Sequence, residues 1–293
     1  VPSSTPPAEI EISLVICTRN RAAQLPACLD HVRALVCGSA WEIVIVDNGS
    51  TDGTADLIAA FQGAAPAPVR YVFEQTPGLG RARNAGVRAA AGRVIAFTDD
   101  DCYVQPDFLS ETLRAFEDPR LGFVTGRVEL HDPSDIPVTI NPSRTPKRFA
   151  GKGYLPTDEI MGANFAFRAE TLSAIGGFSD DMGAGTPFAA EDVDAAARAL
   201  AAGWQGAYDP DIVVRHHHGR RAEDLPKLMK SYDIGRGAYI VTYLLRGDLV
   251  GFLKGIAALR WRIHEPRMWL VTPLRELQGA GGYLLARLRA ALG

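Results

Sequence analysis

RVIAFTDDD, residues 93–101, is the stretch that decides the fold. Its apolar run, Val94-Ile95-Ala96-Phe97, stops at three consecutive acids, Asp99, Asp100 and Asp101. A short apolar run bounded by turn-forming residues reads as a strand buried on both faces, so this strand carries a packet of negative charge to the edge of a sheet. Carboxylates crowded in this way raise one another's proton affinity, and a bound divalent metal keeps them ionised. All-oxygen donors favour Mg2+ or Mn2+. A solvated Asp-rich turn is the competing reading of the segment taken alone.

Working outward, the same alternation of strand and helix recurs. SLVICT (13–18) is a first strand, followed by a helix from about Ala22 to Leu35 with Leu25, Cys28, Leu29, Val32 and Leu35 at near-helical spacing. EIVIVDNGS (42–50) is a second strand stopped by Asp-Asn-Gly, with Thr51 and Asp52 placed to cap a helix over Thr54–Phe61. VRYVFEQ (69–75) is a third strand, and GLGRARNAGVRAA leads into a third helix. This pattern predicts an α/β fold whose mostly parallel sheet is flanked by helices and binds a nucleotide at its carboxyl edge. Beyond Pro106 come a helix over 107–116, a strand over 121–130, and a Pro-rich connection from Asp132 to Pro156 that reads as mobile or substrate-contacting. A second core follows, and the last third is helical and punctuated by glycines. The expected division is a flexible tail (1–11), a catalytic domain (12–224) and a helical C-terminal extension (225–293).

Composition narrows the function classes. The 293 residues are 47% hydrophobic and 22% charged with net charge −3, which offers no electrostatic case for nucleic acid as a partner. Cys17, Cys28, Cys37 and Cys102 form no CxxC pair and no zinc spacing, pointing to reduced thiols and a cytoplasmic setting. The opening VPSSTPPAEIE lacks the regions of a secretory signal, and no apolar stretch is long enough to span a bilayer.

Several residues stand where chemistry would be expected. Thr18 and Arg19 lie just past the first strand, and Asp47 ends the second, where its carboxylate can accept the imino N–H of uracil or thymine or else close an Asx turn. Gly78-x-Gly80 begins like a dinucleotide fingerprint, but Arg83 occupies the third glycine's place, so an oxidoreductase reading is poor. Glu191-Asp192 opens a helical stretch after MGAGTPFAA, whose Gly183 and Gly185 suggest a loop able to close. These acids fit either a helix start or a general base. His216, His217 and His218 end the strand IVVR, and alternation puts His216 and His218 on one face.

The succession VICTRNR, VIVDNGSTDGT, GRARNAG, FTDDDC, GANFAFR and AEDVD, in this order and at these separations, resembles the inverting nucleotide-sugar glycosyltransferases of glycosyltransferase family 2, which have the GT-A fold. The resemblance covers about 14–218. It implies a nucleoside diphosphate sugar donor, with uridine or thymidine diphosphate preferred, a hydroxyl acceptor such as a glycan or lipid-linked sugar, and Mn2+ or Mg2+. Asp192 matches the family's catalytic base. Glu191 and Asn164 are implied for the acceptor, and Thr18, Arg19, Asp47, Arg83, Asp99 and Asp100 for the nucleotide. Asp101 is implied as metal ligand, with a histidine completing the shell, for which His216 and His218 are preferred over His217. Phe188 and Tyr154 are candidate sugar platforms, and Trp204 reads as core. The alternatives weighed are a nucleotidyltransferase acting on sugar phosphates and a non-catalytic sugar-nucleotide binding module. The first would require a glycine-rich loop with a lysine near the first strand, where this chain has VICTRNRAAQ. In 225–293, basic residues interleave with Trp and Leu, which suits either a peripheral membrane contact or a homodimer.

Overall fold

The computed structural model describes residues 9–259 and 271–292. The first half is a run of strand–helix units: β1 (Ile12–Thr18), α1 (Leu25–Arg33), β2 (Trp41–Asp47), α2 (Thr54–Gln62), β3 (Val69–Phe73), α3 (Leu79–Ala89) and β4 (Val94–Asp99). The four strands pair in parallel in the order β3-β2-β1-β4. All seven residues of β2 are buried because helices cover both faces of the sheet. Ile12, Leu14 and Ile16 pack with Leu25 and Leu29 of α1 on one side, and Val15 packs with Ala82 and Ala85 of α3 on the other. At Gly86 a Cβ would lie 2.5 Å from Val15 Cγ1, so the missing side chain lets α3 settle onto β1.

The second half is mixed. It comprises β5 (Cys102–Val104), α4 (Phe108–Ala115), β6 (Leu121–Leu130), β7 (Lys147–Phe149), β8 (Phe165–Arg168), α5 (Ala169–Ile175), α6 (Glu191–Ala201) and β9 (Gln205–His216). These strands extend the sheet as β4-β8-β6-β9-β5, with β8 antiparallel to both neighbours, β6 parallel to β9, and β5 and β7 antiparallel to β9. Residues 225–293 contribute α7 (Leu225–Leu245), α8 (Leu249–Leu259) and α9 (Val271–Leu292). Tyr239 and Tyr243 of α7 belong to the core beneath the sheet, so this segment shares its packing with the rest of the chain. The helices α7 and α9 meet backbone to backbone: a Cβ at Gly237 would lie 1.9 Å from the Glu276 carbonyl, and one at Gly279 1.9 Å from that of Ile234.

Four expectations change. The first helix begins at Leu25 rather than Ala22, because the residues before it are stitched to the next βα loop: Asn20 N donates to Ser50 Oγ, Arg21 N to Thr54 Oγ1 and Ala22 N to Asp52 Oδ2. Asp52 does receive the Thr54 amide and hydroxyl, but Gly53 holds the N-cap position of α2. The Pro-rich connection is anchored rather than free, through β7, the Val128–Asn141 bridge and Tyr208 Oη donating to the Ser143 carbonyl at 2.6 Å. The loop ahead of Glu191 is likewise tied, with Gly183 N donating to the Phe188 carbonyl at 2.7 Å and the Thr186 hydroxyl donating to the Gly183 carbonyl at 2.9 Å. All four cysteines are free. The expected tail, together with Arg260, Trp261, Arg262, Arg267, Trp269 and Leu270, falls largely or wholly outside the described residues.

Candidate active site

Polar side chains converge where the carboxyl ends of β1, β2 and β4 meet β5, β9 and the start of α6. The acidic triplet spans the turn between β4 and β5, and the antiparallel register Cys102↔His216 brings the end of β9 beside it. One donor atom each from Asp99, Asp101, Cys102 and His216 lies within 4.8 Å of the others. Burial, and then the adjacent carboxylates, hold the Cys102 thiol well above its ordinary range, which leaves the two aspartates and the imidazole as the natural cation donors.

The orientation of His216 adds a test of that fit. The Thr139 hydroxyl donates to the Val138 carbonyl at 2.6 Å and therefore presents lone pairs to His216 Nδ1, 3.3 Å away. With Nδ1 donating to that hydroxyl, Nε2 is the atom that faces Asp101 Oδ1, at 3.2 Å. A bare nitrogen lone pair against a carboxylate oxygen repels, so the pair calls for a proton or a cation between them. Burial disfavours the charged form of each group, yet the hydrogen bond between them wins, lowering the proton affinity of Asp101 and raising that of His216. Thr139 keeps this post from a left-handed backbone (φ +55°) that a β-branched residue rarely adopts.

The neighbouring acids behave differently. Burial raises Asp99, Asp101 adds to the effect, and Arg83 opposes it. Burial carries Asp100 up to about 7 despite the nearby Thr18 hydroxyl and the Arg21 guanidinium. Arg21 lies 3.6 Å from both Asp100 and Asp101, whereas Arg19, the residue expected there, is exposed.

Arg83 is the hub of the site. It is 2% exposed, is ion-paired with Glu191, lies 3.6 Å from Asp99 Oδ1, and rests on the Phe165 ring at 4.9 Å. A buried guanidinium persists only when its charge is matched, and here the two carboxylates arrive from opposite halves of the chain. Asp192 stands beside it: a Cβ at Gly162 would lie 3.1 Å from Arg83 Nη2 and 3.2 Å from Asp192 Oδ2. Burial first, and then the adjacent Glu191, push Asp192 up to about 7 against the pull of Arg83. Ala190, at φ +96°, turns the chain so that Glu191 and Asp192 lead α6 into this space.

Several other expected residues already have partners within the protein. Asn164, 1% exposed, uses its amide nitrogen to donate to the carbonyls of Arg127 (3.0 Å) and Ile212 (2.9 Å), bridging the register shift between β6 and β9, while its Oδ1 has no hydrogen-bond partner. His218 lies past the end of β9, where strand alternation no longer governs direction. Its Nδ1 accepts the Arg220 amide at 3.0 Å and lies 3.6 Å from Asp135, outside the donor cluster, while its Nε2 is buried without a hydrogen-bond partner and its ring lies 5.0 Å from that of His216. Asp47 is buried, with its oxygens accepting the Ser50 amide at 2.8 Å and the Tyr71 hydroxyl at 3.0 Å. Phe188 stacks edge-on against Tyr283, and Tyr154 packs on Tyr239 and Tyr243, so neither is a free platform. Gly80 yields its side-chain space to the Ser179 carbonyl, so a packing need accounts for this glycine. The contributions of Arg21 and Tyr71 were not anticipated; the second arginine of TRNR was the available signal for the first.

Comparison with known proteins agrees with this architecture. The family model for glycosyl transferase family 2 matches residues 13–176. A glycosyltransferase of Haloferax volcanii, AglE, is 26% identical over 258 residues, covering 85% of this chain and 79% of that one. An uncharacterized glycosyltransferase of Nostoc sp. is 34% identical over 138 residues, 47% of this chain, and the match spans 42% of that protein's length. Among solved structures, the mannosyltransferase PcManGT from Pyrobaculum calidifontis, in complex with GDP-Man and Mn2+, superposes with a TM-score of 0.63 at 23% identity over 98% of this chain and 77% of that one. Residues 1–349 of S. aureus TarS in complex with UDP-GlcNAc give 0.64 at 15% identity over 94% of this chain and 81% of that one. With its motifs, its mixed sheet and a family match over more than half its length, this chain belongs to glycosyltransferase family 2 and has the GT-A fold.

Proposed function

We propose that this chain is a metal-dependent inverting glycosyltransferase that moves a sugar from a nucleoside diphosphate to a hydroxyl acceptor. The observation that carries the reading is the division of labour among the carboxylates around Arg83. Asp101 is held ionised beside His216, while Asp192 is tuned to about 7, where a carboxylate can take up a proton at neutral pH. Asp99, Asp101 and His216 would hold Mn2+ or Mg2+, and the PcManGT complex contains Mn2+. When bound, such a cation neutralises charge on the departing diphosphate.

The protein's own groups account for the remainder. Asp192 accepts the proton of the attacking hydroxyl, and a single displacement inverts the anomeric carbon. Arg83 pairs with Glu191, and Glu191 in turn adds to the proton affinity of Asp192. Thr18, Arg21, Asp99 and Asp100 line the diphosphate and ribose side of the site, with Arg21 supplying positive charge. Asp47, paired with Tyr71, reads the base edge, for which uracil or thymine is the first choice. GDP-Man and UDP-GlcNAc in the two structural relatives make guanine the necessary comparison.

A panel of UDP-, dTDP- and GDP-sugars screened by thermal shift, with Mn2+ and with chelator, tests the donor. A ligand at 100 times its dissociation constant stabilises by about 2.7 kcal/mol. The anomeric configuration of the product, read by NMR, tests inversion. A metal-independent shift, or a product retaining the donor's configuration, would overturn the corresponding part of the reading.

A further inference from the structure

Charge is distributed unevenly along this chain. Residues 225–293 hold eleven Lys and Arg against four Asp and Glu, a net of +7, while residues 1–224 hold 20 against 30, a net of −10. A basic segment on an otherwise acidic protein selects an anionic partner, since the remainder of the molecule repels one.

The helices of that segment also turn apolar side chains outward. On α9 the residues packed toward α7 include Glu276, Gly279 and Tyr283. On the opposite side of the helix, Leu274, Leu277, Leu285, Leu288 and Leu292 fall within a stripe about 80° wide at 100° per residue, each 57–88% exposed. Helix α8 repeats the arrangement: Gly251 and Gly255 lie against Tyr243 and Ile240 of α7, and Leu249, Val250, Leu253 and Ile256 are 43–60% exposed. Arg289 flanks the α9 stripe, and Lys254 is the one charged residue of α8. Among the described residues no helix is long and apolar enough to cross a membrane.

We propose that the outer faces of α8 and α9 form a docking surface for an anionic lipid bilayer, on which the leucines enter the headgroup boundary and the basic residues meet lipid phosphates. A second copy of the chain is the poorer occupant, because it would set Lys254 and Arg289 on these faces against their own kind, with no acidic residue on the α9 stripe to answer them. The surface is coupled to the site described above: Tyr283 packs on Phe188, and Arg287 pairs with Asp181 at 3.2 Å, on the loop that leads into Glu191.

Co-sedimentation of the full chain with vesicles tests this without requiring turnover. With phosphatidylglycerol-containing vesicles at low salt the protein pellets; with pure phosphatidylcholine, or with salt raised so that the screening length falls from ~10 to ~3 Å, it stays largely in solution. The triple variant Leu277→Ser, Leu285→Ser, Leu288→Ser, altered only at exposed positions, keeps its melting temperature and loses about tenfold in bound fraction. Protein remaining in the supernatant with anionic vesicles at low salt overturns the proposal. So does equal binding to both vesicle types. A concentration-dependent dimer in sedimentation velocity that the triple variant abolishes would assign the face to a second copy instead.

Discussion

Replacing Asp192 with Asn removes a proton acceptor while preserving size and shape, which makes it the sharpest probe of the proposed chemistry. A positioned general base contributes about 10^2- to 10^4-fold, so kcat should fall by that factor, equivalent to ~2.7–5.4 kcal/mol of barrier, with donor affinity unchanged. Because Asp192 is pushed up to about 7, wild-type kcat should rise with pH along an acid limb near neutrality. About a tenth of the enzyme is active at pH 6 and about nine tenths at pH 8; the variant's residual rate should lack that limb. Stability moves in the opposite direction. A carboxyl whose folded affinity is raised favours folding while protonated and loses that contribution as pH climbs from its unfolded value, 3.8, through about 7. At one pH unit per 1.36 kcal/mol, wild type forgoes up to about 4 kcal/mol across this window. Asn forgoes nothing, so D192N should match wild type near pH 4 and exceed it near pH 8 in urea unfolding. Activity within a few-fold of wild type with an unchanged acid limb would refute the base assignment; equal stability at both pH values would refute the burial account.

Three further perturbations follow from the geometry. Asp101→Ala should stay folded but lose Mn2+ binding in calorimetry, and wild-type Mn2+ affinity should weaken as pH falls, since a cation at His216 and Asp101 displaces the proton they share; undiminished binding in the variant would remove Asp101 from the donor set. Arg83→Gln leaves Glu191 and Asp99 without their guanidinium and should destabilise by about 3–5 kcal/mol, as measured by denaturant melts. Gly237→Ala places a methyl 1.9 Å from the Glu276 carbonyl and should force α7 and α9 apart at a cost of at least about 1–3 kcal/mol; a neutral change in melting temperature would show that the helices part freely.

The sequence alone made the first four strands readable: β1, β2 and β4, buried on both faces, announce themselves as apolar runs such as Val94–Phe97, while the edge strand β3 shows itself through its β-forming Val, Tyr and Phe residues. The mixed half was harder. The strands β5 and β7 are three residues each, too short to display a period, and owe their conformation to pairing with β9. Among candidate site residues, those at strand ends or a helix start (Asp99, Asp101, Asp192, His216) are legible because position and chemistry coincide. Asn164 and His218 were not resolved by the same logic: one has its amide nitrogen taken up by backbone carbonyls at a register shift between distant strands, and the other stands past the point where alternation holds. Arg21 escaped notice because its role depends on a loop-to-loop stitch, Arg21 N to Thr54 Oγ1, that no local pattern encodes.

The pairing of β5 with β9 has a consequence for how the molecule comes into being. Tyr103 and His217, which hydrogen-bond at its end, are 114 residues apart in sequence. The parallel units β1 to β4 close through short connections, whereas the corner holding Asp101 and His216 waits for one of the longest loop closures in the chain. A chain emerging from the ribosome therefore exposes its triplet of aspartates well before the histidine that answers them has been synthesised. In that interval β6 and β8 must find each other without β9, and the edge of β6, Leu121–Leu130, stands unpaired. The four donor groups are therefore brought together as one of the last acts of folding, so that half-made chains carry the charge of the site without its partner imidazole.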